Sequence, residues 1–192
     1  VASDINKPNG NKTITPDEAG QFLEKLPIRK FFGVGKVTEK KMKALGISFG
    51  GDLKKMGKEE LIRHFGKSGN YYFEVANGND NRVVNPTRER KSIGKEITFA
   101  QDLEDINEML DVLNEISKKL ELLLKKKGRK GKTLTLKVKY GDFTTATRST
   151  TLPKAFCESS ITMGIVENLL EKTEAGEKKV RLLGLSFSHF SD

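Results

Sequence analysis

One cysteine, two histidines and no tryptophan are all that this 192-residue chain holds of those three types. Cys157 has no partner, so an internal disulfide is excluded and a reducing, cytoplasmic setting is expected. His64 and His189 stand far apart, without metal-ligand spacing, and read as ordinary core or surface residues. No apolar run approaches the roughly 18 residues of a membrane span, so no membrane partner is expected. The opening VASDINKPNGN lacks the apolar centre of a secretory signal. Acids are scarce in one place. Between Lys125 and Lys154 stand ten Lys/Arg against a single Asp142, a surplus equal to the +9 net charge of the whole chain. A positive field focused in this way points to a polyanion.

Along the chain, residues 1–15 read as a loop with KPNGN as its turn. Pro16 opens a helical pattern, PDEAGQFLEKL, with acids in its first turn and Pro27 ending it. Thr38 is positioned to N-cap a second helix, EKKMKAL, closed by Gly46. KEELIRHF and the stretch around NYYFEVANG supply two more, so 16–80 reads as a small all-helical unit. The polar, Pro-broken NDNRVVNPTRERK reads as an extended linker, 81–94. Residues 95–192 change period. SIGKEITF favours a strand, and INEMLDVLNEISKKLELLL carries one helical stripe through Ile106, Met109, Leu110, Leu113, Ile116, Leu120 and Leu123. TLTLKVKY alternates, with Leu134, Leu136, Val138 and Tyr140 on one face and Thr133, Thr135, Lys137 and Lys139 on the other. FTTATRSTTL, a helix over 157–172 and a strand in KKVRLLGLSFSHF follow. The expected fold is α+β: a helix-hairpin-helix domain linked to a β-α-β-β-α-β, split-βαβ domain, with a four-stranded antiparallel sheet and two helices on one face. The other sheet face stays open to a ligand.

The stretch RKFFGVGKVTEKKMKALGI holds two glycines one residue apart before a helix. As a Walker loop it fails, because Lys30 stands at the first glycine and Val37 at the Mg-binding Ser/Thr. As a dinucleotide fingerprint it fails too, because Thr38 replaces the third glycine and no strand precedes it. What is left is a helix, an FGVG hairpin and a helix. Gly33, Val34 and Gly35 would lay bare amides at a helix N-terminus, with Lys36, Lys40 and Lys43 adding charge, to hold nucleic-acid phosphate without reading sequence.

ASDINKPNGN, FLEKLPIRKFFGVGKVTEKKMKALGI, FGKSG, RERKSIGKEITFAQDL, TRSTTLP and VRLLGLSF occur in this order. As a set, over nearly the whole chain, they resemble the C-terminal part of a Y-family, lesion-bypass DNA polymerase of the DNA polymerase IV type. The resemblance implies that 1–15 is the last piece of a palm, 16–80 a thumb holding primer-template DNA, 81–94 a linker and 95–192 a little finger. It implies that Lys7 of KPNG contacts the incoming nucleotide triphosphate. It implies DNA contacts at Gly33, Val34, Gly35, Lys36, Thr38 and Lys40 in the thumb. In the little finger it implies them at Lys91, Ser92, Thr98, Lys137, Lys139, Arg148, Ser149, Thr151 and Arg181. The catalytic carboxylates and their Mg2+ ions belong to palm segments outside these residues, so this stretch by itself is expected to bind no metal and to synthesise no DNA. Asp102, Glu104 and Asp105 read as helix-start residues. Where relatives carry cations on the last strand, Leu182 and Ser186 stand here. A tail that binds the sliding clamp in many relatives is not among these residues.

One alternative stays open at this level, and two more are disfavoured, since the middle strands lack stacking rings and the C-terminal half is β-rich. A non-catalytic DNA-binding or regulatory protein would keep only thumb and little finger, and the upstream reading frame decides that case. An RNA-binding RRM would need stacking aromatics in its middle strands. A helix-hairpin-helix glycosylase would need an all-helical fold.

Overall fold

Leu26 and Ile28 flank Pro27, and the chain must bury both while losing an amide donor between them. The computed structural model, which describes residues 5–87 and 89–191, solves this with a crossing. Leu26 O accepts from Gly50 N at 3.0 Å, and Ile28 N donates to Ser48 O at 2.9 Å. Helix α1, Pro16–Lys25, starts with proline at its first position and a capping box between Thr15 and Glu18. A 3₁₀ turn at Ile28–Lys30 leads to α2, Lys36–Ala44. Then come α3, Gly50–Met56, α4, Lys58–Phe65, and α5, Lys67–Ala76. Leu26, Ile28, Phe31, Met42, Ile47, Leu53, Leu61, Tyr72 and Ala76 form the buried core of this unit.

Two features differ from expectation here. Helix α3 has no counterpart in the sequence reading, because two glycines open it. Asp52 starts it instead, its carboxylate accepting from Ser48 N and Phe49 N, both at 2.9 Å. The first of these bonds, then the second, holds the Asp52 carboxyl below its ordinary range. The N-cap of α2 is Gly35, not Thr38, which lies inside the first turn.

The chain divides into two compact units between Asn85 and Pro86. In the second unit, β1 (Ser92–Leu103), α6 (Ile106–Lys126), β2 (Gly131–Tyr140), β3 (Thr145–Phe156), α7 (Ser159–Leu170) and β4 (Val180–Phe190) follow in turn. Strand β1 starts inside the segment read as linker, since Ser92 and Ile93 already pair with Ser188 and Phe187. The sheet order is β1-β4-β2-β3, with every neighbouring pair antiparallel. Each helix therefore crosses over one intervening strand. Leu134, Leu136, Val138 and Tyr140 of β2 and Leu183, Leu185 and Phe187 of β4 meet Met109, Leu113, Ile116, Leu120 and Leu124 of α6 and Val166 and Leu169 of α7. Asp105 caps α6, accepting from Asn107 N at 2.9 Å. Among the described residues no helix is long and apolar enough to cross a membrane.

The helix layer is laced by carboxylates. Glu121 on α6 accepts from Lys125 Nζ at 2.6 Å and from Ser159 N, the first amide of α7, at 2.9 Å. These bonds, Lys125 first, hold its carboxyl at about 2. Glu158 is held at about 2 as well, chiefly by the Cys157 amide and with help from Lys130. A folded-state pKa below the unfolded value means stabilisation that is present above the unfolded pKa and lost as pH falls towards the folded one. A Glu121→Gln chain is expected to melt below the parent at neutral pH. The gap should close between about pH 4.5, the ordinary value, and about 2, the folded value. Thermal melts across that range check this, and a gap that is independent of pH would contradict it.

Candidate nucleic-acid interface

The hairpin between the 3₁₀ turn and α2 is built by two glycines with different duties. Gly33 has φ +84°, a left-handed conformation that a side chain resists, and its carbonyl accepts from Tyr72 Oη at 3.3 Å. Gly35 has φ −87° and ψ 176°, which any residue adopts, and a Cβ there would meet nothing within 4 Å. Inside the unit Gly35 is therefore replaceable. Its bareness matters only to something arriving from outside. No side chain caps α2, so its first-turn amides, which have no intrahelical acceptor, point outward with the positive end of the helix dipole.

Lys36 and Lys40 are exposed beside these amides. Two nearby lysines are committed elsewhere. Lys41 Nζ donates to His64 O at 2.5 Å and lies 5.0 Å from the Phe65 ring centre, and Lys43 pairs with Glu39 at 2.7 Å. Arg82, assigned by sequence to the linker, folds back on the hairpin. Its guanidinium lies 4.7 Å from the Tyr71 ring centre and 5.2 Å from that of Phe32, and two nitrogens donate to Asp80 at 2.7 and 2.6 Å.

In the second unit, strand register fixes the open face. Ser92, Gly94, Glu96 and Thr98 of β1 stand opposite Ser188, Ser186, Gly184 and Leu182 of β4. Those four stand opposite Thr133, Thr135, Lys137 and Lys139 of β2. The β2 residues face Thr151, Ser149, Thr147 and Thr145 of β3. The result is four rows of short hydroxyls, two cations and two bare backbones, with Glu96 the one acid and Leu182 the one large apolar residue in the rows. Ser92, Thr98, Lys137, Lys139, Ser149 and Thr151 thus come together as expected. Exposed Lys91 adjoins Ser92 at the start of β1.

Arg148 does not join them. It pairs in register with Leu136, on the helix side of the sheet, and its Nε donates to Lys172 O at 2.7 Å, beyond the end of α7. Its role here is to hold the turn after α7. Arg181 is the extra residue of a bulge, since Tyr140 faces Val180 while Lys139 faces Leu182. Its guanidinium lies 5.0 Å from the ring centre of Phe143, and Lys139 Nζ lies 4.7 Å from the same ring. Asp102 lies 3.7 Å from Arg181. Lys7 sits exposed in a turn of the first unit.

Lys137 reaches across the bare Gly184 to Glu96, 2.8 Å away. Both partners are well exposed, so the pair adds at most about 1 kcal/mol to stability, yet it occupies the central cation of the face. Glu96→Gln is expected to free Lys137. Fluorescence anisotropy should then show severalfold tighter binding of duplex DNA, with a log–log salt slope steeper by about 0.9 for one further neutralised phosphate. An unchanged slope would mean that Lys137 does not meet phosphate.

The chain thus carries two modules, a hairpin with bare amides at a helix start and a four-stranded sheet with one cation-bearing, unroofed face. Residues 16–47 match the IMS family HHH motif and residues 90–192 match the impB/mucB/samB family C-terminal domain. The chain belongs to the impB/mucB/samB family. It is 45% identical over its full length to a DNA polymerase IV of Clostridium perfringens, covering 54% of that protein. It is 44% identical over 188 residues to the DNA polymerase IV of Desulfotalea psychrophila, covering 98% of this chain and 50% of the relative. The chain therefore spans about half the length of the curated relatives it matches. A solved Y-family DNA polymerase chimera has the same fold over 97% of the chain, with a TM-score of 0.73 at 23% identity.

Proposed function

We propose that this chain is the DNA-gripping part, thumb and little finger, of a lesion-bypass DNA polymerase. The observation that carries this is the open sheet face, whose hydroxyls and cations suit a phosphate backbone and whose side chains offer no base-reading pattern. The uncapped start of α2 supplies a second grip of the same chemistry. The names of the relatives support the parent activity. In the family that this chain resembles, the carboxylates that hold two metal ions come from palm segments outside these residues, and we place the Mg2+ ligands and the phosphoryl transfer there. Lys7 is assigned to the incoming nucleotide triphosphate of that parent.

Gripping charge rather than letters lets a distorted template stay engaged. If about five to eight phosphates are neutralised, the salt slope lies near −4 to −7, with affinity near 10⁻⁴ to 10⁻⁶ M at physiological salt. The test is a Lys36→Glu/Lys40→Glu chain titrated with primer-template duplexes of unrelated sequence. Binding should weaken alike for all of them and the slope should flatten by about 2. A change confined to some sequences, or none at all, would reject the grip. Primer extension by the complete reading frame, beside this chain alone, tests the parent activity.

A further inference from the structure

Among the described residues only Phe143 and His189 have positive φ without being glycine. A bulky residue keeps such a backbone only where its surroundings over-determine it, and such residues gather at functional sites. At His189 (φ +52°) the consequence is geometric. Ser188 faces the open side of the sheet, so a regular strand would turn residue 189 towards the helix layer. The left-handed turn keeps the imidazole on the open side instead. Its Nδ1 lies 2.9 Å from Thr133 Oγ1 and 3.4 Å from Ser188 Oγ, and Thr133 Oγ1 lies 2.8 Å from Thr151 Oγ1. One ring nitrogen is thus tied to hydroxyls of two strands and, through Thr133, to a third. The side chain is exposed, and Nε2 has no partner among the described residues.

We infer that His189 is a phosphate ligand of the open face, presenting Nε2–H to a DNA backbone oxygen and binding it most tightly as imidazolium. The hydroxyl relay serves both ring states. Thr133 donates to the neutral ring and accepts from Nδ1–H of the charged one, while Thr151 takes up the change. Among the described residues no carboxylate touches the ring. The groups facing it are Thr133 from β2, Thr151 from β3, Ser188 from β4 and, across the register, Ser92 from β1. Past the strand end, Ser191 N donates to Lys130 O at 3.1 Å, bringing the α6–β2 loop alongside. Two charges of that loop are already paired: Lys130 with Glu158 at 3.1 Å and Arg129 with Glu89 at 2.7 Å. An arriving phosphate would supply an anion to the imidazolium, so protonation of the ring and DNA binding favour each other.

This rests on the open face being the DNA surface, and the experiment separates the two. A fluorescein-labelled primer-template duplex is titrated into the full 192-residue chain over a range of NaCl at about pH 8 and pH 6. The parent should bind severalfold tighter at the lower pH, with a slope steeper by about 0.9. His189→Asn, which tolerates the left-handed backbone, should abolish both changes. His189→Lys should bind tightly at either pH. His64→Gln should keep the parent's response, since His64, beside Glu60 at 3.1 Å, is the other histidine. If His189→Asn keeps the acid enhancement, or shifts only the melting temperature, the imidazole is a latch and the inference is overturned. If neither His189→Asn nor a Lys137→Glu/Lys139→Glu chain alters binding, the open face is not the DNA surface and the inference falls with it.

Discussion

A Gly35→Asp chain is expected to fold as well as its parent and to lose at least tenfold in DNA affinity near 0.1 M salt. The two effects separate because Gly35 is an N-cap in ordinary backbone with open space where a side chain would go. Aspartate is a good N-cap, within a few tenths of a kcal/mol of glycine or better. The same carboxylate would satisfy the amides that a phosphate needs and repel the phosphate as well; like charges brought together at an interface cost several kcal/mol. Gly35→Ser supplies a cap without charge and should fall between the two. Gly33→Val is the contrast: φ +84° there opposes any side chain, so stability should drop together with binding. The measurements are a urea melt and a DNA titration for each variant. Parent-like affinity in Gly35→Asp would end the case for the hairpin as a phosphate grip.

Gly69→Ala should produce the largest loss of stability. A Cβ at Gly69 would lie 2.1 Å from Leu61 O, 2.3 Å from Leu61 C and 2.6 Å from Ile62 N. All three are backbone atoms of α4, so no side chain can swing aside, and α5 must lift away from α4. Overpacking typically costs about 1–3 kcal/mol, and we expect about 3 or more here, since the clash is with main chain. At roughly 0.05–0.15 kcal/mol per residue, a unit of about 80 residues has only about 4–12 kcal/mol to lose. Gly20→Ala on α1 is the control: a Cβ there meets nothing within 4 Å, and the helix should gain up to about 1 kcal/mol. A Gly69→Ala chain whose urea midpoint matched the parent's would show that the α4–α5 crossing is looser than described.

Periodicity was legible wherever one face is buried. KEELIRHF is helix α4 to the residue, and from Leu134 to Tyr140 the alternation in sequence is the alternation of burial in β2. Helix α3 escaped because its opening glycines hide a start made by Asp52, three residues in. Leu124 escaped the α6 stripe that packs inward, although it is fully buried. In β3, alternation separates Arg148 from Ser149 and Thr151, so grouping the three as DNA contacts went against the period of the strand. Ion pairing is a different matter. That Glu96 takes Lys137 depends on Gly184 lying bare between them, and that depends on β4 running between β1 and β2. Strand order, the sign of φ at His189 and the return of Arg82 onto the hairpin are set by contacts distant in sequence, and local pattern carries no trace of them.

Strand β4 is last in the sheet's chain order and central in its hydrogen bonding, and that has a consequence for synthesis. While a ribosome is still short of Val180, β1 has no neighbour, and β2 and β3 form a lone hairpin, marginal in water. The apolar faces of α6 and β2 wait uncovered, prey to proteases and to one another. Only when the closing strand leaves the exit tunnel do all four strands lock together, so a nascent chain abandoned before Val180 never assembles the four-stranded open face.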